Sequence, residues 1–253
     1  MIVVTALMMI VWVGASVIVS QLAVGYLMLW MLGPDTFREP VPTAIYSALS
    51  YVLAMMMIIM IPKLIKAKRN KNKKLSDGKK TSLKAFLEEL GIKGWPTWAD
   101  IGLAPLGMLA YMLLATGLVA VFSIFPWFNA QEVQDVGFST FITGFDRLIA
   151  FFTIVIIAPI AEEIIFRGWL YGNLKSSFLK KCSKPLSIIL ANFLVSLAFG
   201  IIHLQWNVGV NVFAMSIVLC GLREITGTVY SGIILHMLKN GIAFYLVYVL
   251  GIQ

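Results

Sequence analysis

The sequence is short of charge. Asp, Glu, Lys and Arg make up only 13% of its 253 residues, and none of them occurs between Met1 and Pro34. Soluble domains carry about twice that share, so a water-soluble globule and a disordered chain are both excluded. Cysteine is almost absent. Cys182 and Cys220 form no CxxC or paired spacing, which excludes a disulfide scaffold. Histidine occurs twice. What is abundant is apolar: 60% of the residues are hydrophobic. An all-α, polytopic transmembrane helix bundle is the class that remains.

The net charge of +8 does not point to nucleic acid, because most of the basic residues lie in loops. Eleven of the 20 Lys and Arg lie between Lys63 and Lys93, and four more between Lys175 and Lys184. Basic loops between apolar runs orient a membrane protein and favour an anionic leaflet. Membrane lipids are therefore expected partners and nucleic acid is not.

Seven spans are predicted. The first two are the uncharged runs Met1–Pro34 and Val41–Pro62. With no basic n-region and no small-residue cleavage site, the first reads as a retained helix. The basic run Lys63–Lys80 and a short amphipathic piece around Ser82–Leu90 follow, with Trp95 and Trp98 as interfacial anchors. The third span covers about Ile101–Phe125, and a polar connection with Glu132 and Asp135 leads to the fourth near Asp146. The uncharged part of that fourth helix, Leu148–Ala161, is 14 residues. That is too short to cross alone, so the span must include Glu162, Glu163 and Arg167. The last three spans are Pro185 to about Leu204, Gly209 to about Leu222, and Val229 to about Leu250.

Alternation places both basic loops on one side, expected to be cytoplasmic with the N-terminus, and the acidic connections on the other. The chain divides into residues 1–144, N-terminal helices with the basic loop, and 145–253, a candidate catalytic core. A bacterial plasma membrane is the expected location.

The ionisable residues inside spans cluster after residue 145. Such residues are costly in hydrocarbon and commonly face a cavity, paired and functional. Glu163 and Arg167 are four apart and can pair along their helix, which leaves Glu162, about 100° around it, free to face something else. Phe199 and His203 are four apart on the fifth span, and His236 and Asn240 on the seventh. Glu162 and His203 are equidistant from the Lys180–Lys184 turn. Reflection through further turns near Asn207 and Ile225 places His236 about three residues, roughly 5 Å, from the level of His203.

A carboxylate and an imidazole around a water make a general base, and a second imidazole with an amide makes an oxyanion site. Glu162 is the expected base, with His203 sharing its proton. His236 and Asn240 would stabilise a tetrahedral oxygen, and Glu163 and Arg167 would lock the helix. Phe199 is expected to pack or to wall the cavity. Lys239 is expected to snorkel or to pair with Glu224.

The three motifs, Glu162-Glu163-xxx-Arg167, Phe199-xxx-His203 and His236-xxx-Asn240, resemble those of the CPBP (CAAX protease and bacteriocin-processing, or Abi) intramembrane proteases. That family includes the type II CAAX prenyl endopeptidases. The resemblance covers about residues 145–245. It implies a multi-helix membrane core that hydrolyses a peptide bond, with Glu162 activating water, His203 as its partner, and His236 and Asn240 stabilising the transition state. The implied substrate is a hydrophobic or lipid-modified peptide or protein, expected to approach from the cytoplasmic side. The family is also described as metalloprotease, and Glu162, His203 and His236 form a possible zinc set; HExxH is absent, and the alternative is a metal-free, glutamate-activated water. Two other readings are a non-catalytic bacteriocin-immunity or binding protein on the same scaffold and a proton-coupled transporter. The transporter lacks the expected internal repeat.

Overall fold

The computed structural model describes residues 2–65, 83–132 and 143–251. The described residues are helical with short connections and contain seven helices long and apolar enough to cross a membrane. We label them with one short helix: α1 (Ile2–Leu32), α2 (Pro40–Ile65), α3 (Leu83–Glu89), α4 (Trp98–Phe122), α5 (Gly144–Phe178), α6 (Lys184–Ile201), α7 (Trp206–Thr226) and α8 (Tyr230–Val249). Each predicted span is present within a few residues of its expected bounds. Most of the basic run Lys63–Lys80, and Asp135, lie outside the described residues.

The helix ends follow local chemistry. Thr97 caps α4 and Thr143 caps α5, each in a capping box with an acidic residue three positions on, Asp100 and Asp146. Pro40 and Pro185 sit in first turns, where the missing N–H costs nothing. Gly227 takes the left-handed conformation that stops α7, with φ +70°.

The fourth span is unusual. It runs 35 residues, about 52 Å at 1.5 Å per residue, well beyond a hydrocarbon core of about 30 Å. It also changes pitch. Wide π-type turns at Phe152–Ile157 and Ile164–Leu170 bracket the ordinary α-helical turns of Ala158–Glu163. Pro159 removes one backbone donor, and the widened turn before it leaves room for its ring. Such π-turns re-aim the side chains that follow and recur at functional sites.

α7 is the most enclosed span. Half of its apolar window is buried, against 17% for α1 and α4. Met215 and Leu219 on α7 meet Leu170 and Leu174 of α5 and Leu235 of α8 in one fully buried cluster. Outward faces such as Val3, Leu7 and Val11 of α1 and Leu109 and Leu113 of α4 are exposed, as lipid-facing surfaces should be.

Polar clamps fix the ends of the helices on the side of the basic connections. Asp100, 1% exposed, accepts from Thr228 Oγ1 at 2.6 Å and Ser231 Oγ at 3.0 Å, tying α4 to the α7–α8 turn. Lys175 Nζ donates to Glu224 at 2.5 and 2.7 Å, and Tyr171 donates to the same carboxylate at 3.0 Å. Glu224 is thus paired with α5, so the Lys239–Glu224 pair expected from sequence does not form.

α6 and α7 approach through glycine. A Cβ on Gly200 would lie 2.8 Å from the Gly209 carbonyl oxygen, and one on Gly209 would lie 3.0 Å from that of Gly200. Small residues allow this backbone contact between spans. Gly200→Ala should force the pair apart at a cost of about 1–3 kcal/mol, read as a lower unfolding midpoint in detergent. Gly117, which has open space around it, is the control, and Gly117→Ala should leave the midpoint nearly unchanged.

Candidate active site

The site is built around a buried ion pair. Glu163 and Arg167 are both 0% exposed, and Arg167 Nη1 donates to Glu163 Oε1 at 2.8 Å. The pairing expected from their spacing is present. The same Glu163 oxygen accepts from His236 Nδ1 at 3.2 Å, which ties α8 to α5. Gly232, one turn earlier on α8, makes this approach possible. A Cβ there would stand 2.8 Å from Glu163 Oε2.

Phe199 lies beside the pair, 1% exposed. Arg167 sits over its ring at 4.4 Å, a cation–π geometry. Its edges meet Phe166 at 4.8 Å, His203 at 5.0 Å and His236 at 6.1 Å between ring centroids. Phe199 is therefore the packing platform that both imidazoles share.

Both histidines present the same nitrogen to open space. His203 Nδ1 lies 2.7 Å from the Phe199 carbonyl. A carbonyl only accepts, so Nδ1 carries the proton and Nε2 is left free. In His236 the Glu163 carboxylate holds Nδ1, and Nε2 points toward Glu162 Oε2 at 3.8 Å. Glu162 faces away from the ion pair, and its Oε1 accepts from Tyr51 Oη at 2.6 Å.

Glu162, His203, His236 and Asn240 line one cavity of ≈ 1090 Å³, together with Tyr51 and Lys239. Asn240 is only partly available. Its Nδ2 donates to the Ile154 carbonyl at 3.0 Å, which leaves one N–H and the side-chain oxygen for other partners. Lys239 lines the cavity rather than reaching an interface.

The level arithmetic holds for one hairpin and fails for the next. The α5–α6 turn falls between Phe178 and Lys184, as expected. The other two turns fall at residues 202–205 and 227–229 rather than at Asn207 and Ile225. With straight, parallel helices those turns would separate His203 and His236 by about 24 Å in height. Both rings nevertheless lie against Phe199.

The lining residues outside the helices, 130–132 and His203, belong to connections on one face. Gln205 and Asn207 donate to the Glu132 carbonyl at 3.3 and 2.6 Å and pin those connections together. This face is opposite the basic loops.

Two features escaped the sequence reading. Tyr51 lies in a span whose polar residues are Ser, Thr and Tyr, common in any membrane helix, and its partner is 111 positions away. Lys239 is adjacent to a motif residue but resembles an ordinary snorkelling lysine.

Among the described residues no group of three His, Cys, Asp or Glu is placed to hold a metal ion. Glu162 Oε1 accepts from Tyr51, and among the described residues no third His, Cys, Asp or Glu joins Glu162 and His236 in such a group. The described side chains do not fit a three-ligand zinc site.

All three motifs fall inside the segment that a family comparison recognises. Residues 143–242 match the type II CAAX prenyl endopeptidase Rce1-like family. No curated protein and no solved structure matches the chain. The Rce1-like segment includes α5 to most of α8. It agrees with the resemblance read from the motifs. Tyr51 lies outside it, so a helix beyond the Rce1-like segment completes the wall of the cavity.

Arg167→Met should leave the buried Glu163 carboxylate without its arginine and held by His236 alone, at a cost of about 3–5 kcal/mol. The double variant Arg167→Met with Glu163→Leu should recover much of that loss, because it removes the stranded charge as well. Unfolding midpoints in detergent read both effects.

Proposed function

We propose that this protein is an intramembrane endopeptidase that hydrolyses a peptide bond of a hydrophobic or lipid-modified peptide or protein. The observation that carries the reading is the shared cavity lined by Glu162, His203, His236 and Asn240 within an Rce1-like segment.

Glu162 takes a proton from a water in the cavity, and the oxygen attacks the substrate carbonyl carbon. Tyr51 holds one carboxylate oxygen, so the other is directed at the water. His203, its Nδ1 committed to the Phe199 carbonyl, has Nε2 free to share the abstracted proton. As the C=O electrons move onto oxygen, a protonated His236 donates from Nε2 to the oxyanion. Glu163 stabilises that imidazolium through Nδ1. The remaining Asn240 N–H is the second donor. Collapse of the tetrahedral intermediate re-forms the carbonyl, breaks the C–N bond and returns a proton to the leaving amine. No covalent intermediate is needed. Glu163 and Arg167 act through His236 and are positioning residues.

The test is cleavage of hydrophobic and prenylated peptides by the full chain reconstituted in vesicles. Wild type should cleave. Glu162→Gln should lower kcat by about 10²–10⁴-fold through loss of the base. His236→Ala should lower it by about 10²–10³-fold through loss of an oxyanion donor. Tyr51→Phe should cost roughly tenfold in kcat with little change in KM, the size expected for one hydrogen bond to a charged group. Turnover unchanged in Glu162→Gln would overturn the mechanism. Absence of cleavage across the peptide panel by folded wild type would overturn the activity.

A further inference from the structure

The mechanism above uses four cavity residues and Tyr51, and leaves Lys239 with no task. Its position is an odd one for a lysine. The side chain is half-buried and lines the cavity beside the reacting groups. Among the described residues its ammonium makes no hydrogen bond and no ion pair within 4 Å. The carboxylate acting on it is Glu162, but that group accepts from Tyr51 and faces His236. Glu224 is occupied by Lys175 and Tyr171. A cation drawn into an apolar surrounding without a close partner is costly. It is the arrangement expected of a group whose partner arrives with the ligand.

We propose that Lys239 is a specificity-determining residue that binds a carboxylate of the substrate close to the scissile bond. This rests on the hydrolase reading above. The partner must be anionic, since the ammonium only donates, and a charge-assisted pair in a partly desolvated cavity is strong. Distance limits where that anion lies in the substrate. Lys239 adjoins Asn240 in the chain and stands three residues from His236, so all three project from neighbouring parts of α8. A carboxylate held by its ammonium therefore lies in the part of the substrate next to the cleaved bond. A free C-terminus and an acidic side chain both meet this requirement.

Three versions of one hydrophobic peptide separate these sources: a free C-terminal acid, its C-terminal amide, and the amide carrying Glu within the last three residues. Cleavage is measured with reconstituted full-length protein. Binding is measured separately with versions whose scissile amide is reduced to an amine linkage. Wild type should favour the acid over the plain amide by about tenfold in kcat/KM and in Kd, the size of a charge-assisted hydrogen bond. Lys239→Met should abolish that preference by lowering the acid to the level of the plain amide. Lys239→Arg should retain most of it. The Glu-bearing amide matching the acid would assign recognition to any nearby carboxylate, and its matching the plain amide would assign it to the C-terminus. Equal handling of all three peptides by wild type, or an equal loss on all three in Lys239→Met, would overturn the proposal. Discrimination in binding without cleavage of any version would leave the anchor standing and refute the hydrolase reading. Cleavage without discrimination would do the reverse.

Discussion

A buried carboxylate needs a partner, and the architecture follows from how Glu163 finds two. An uncompensated charge at 0% exposure would cost several kcal/mol. Arg167, one turn along the same helix, neutralises it, and His236 of another helix donates to the same oxygen. The first contact is local and holds α5 in register with itself. The second is tertiary and sets where α8 lies. Gly232 has no side chain because the Glu163 oxygen occupies that space. Phe199 then packs against the Arg167 guanidinium and both imidazoles. The ion pair, the glycine and the aromatic platform thus form one unit that aims two Nε2 atoms at a common volume.

Adjacent glutamates consequently have opposite situations. Glu163 is enclosed and spends its charge on structure. Glu162, about 100° around the helix, looks into a cavity and keeps an oxygen free of strong partners. The π-type turns on either side of Ala158–Glu163 fit this division. A chemistry that activates water needs this separation, because a carboxylate neutralised by arginine is a weaker base.

Much of this was legible in the sequence, for identifiable reasons. The seven spans follow from the length of uncharged runs, and the long fourth span follows from the 14-residue limit that forces Glu162, Glu163 and Arg167 into the helix. The Glu163–Arg167 pair follows from helical spacing. The placement of His203 opposite Glu162 follows from a tight, symmetric turn. The second and third hairpins were less legible, because their turns fall at residues 202–205 and 227–229 and not at the polar residues Asn207 and the Arg223–Ile225 region that marked them in the sequence. Contributions from helices distant in sequence were the least legible. Nothing local to Tyr51 marks it as a partner of Glu162, and nothing local to Lys239 distinguishes a cavity cation from a snorkelling one. The partial commitment of Asn240 to the Ile154 carbonyl is likewise a product of packing.

The division of labour between the two adjacent glutamates is tested most directly by comparing Glu162→Gln with Glu163→Gln in the same vesicles, with rates normalised to folded protein. Each change removes one negative charge and keeps the side-chain shape. The account predicts that Glu162→Gln lowers the single-turnover rate by about 10²–10⁴-fold. Glu163→Gln, which still offers His236 an acceptor, should slow hydrolysis without eliminating it and should mainly lower the unfolding midpoint. The opposite order, with hydrolysis surviving in Glu162→Gln and disappearing in folded Glu163→Gln, would contradict the assignment of the reactive carboxylate.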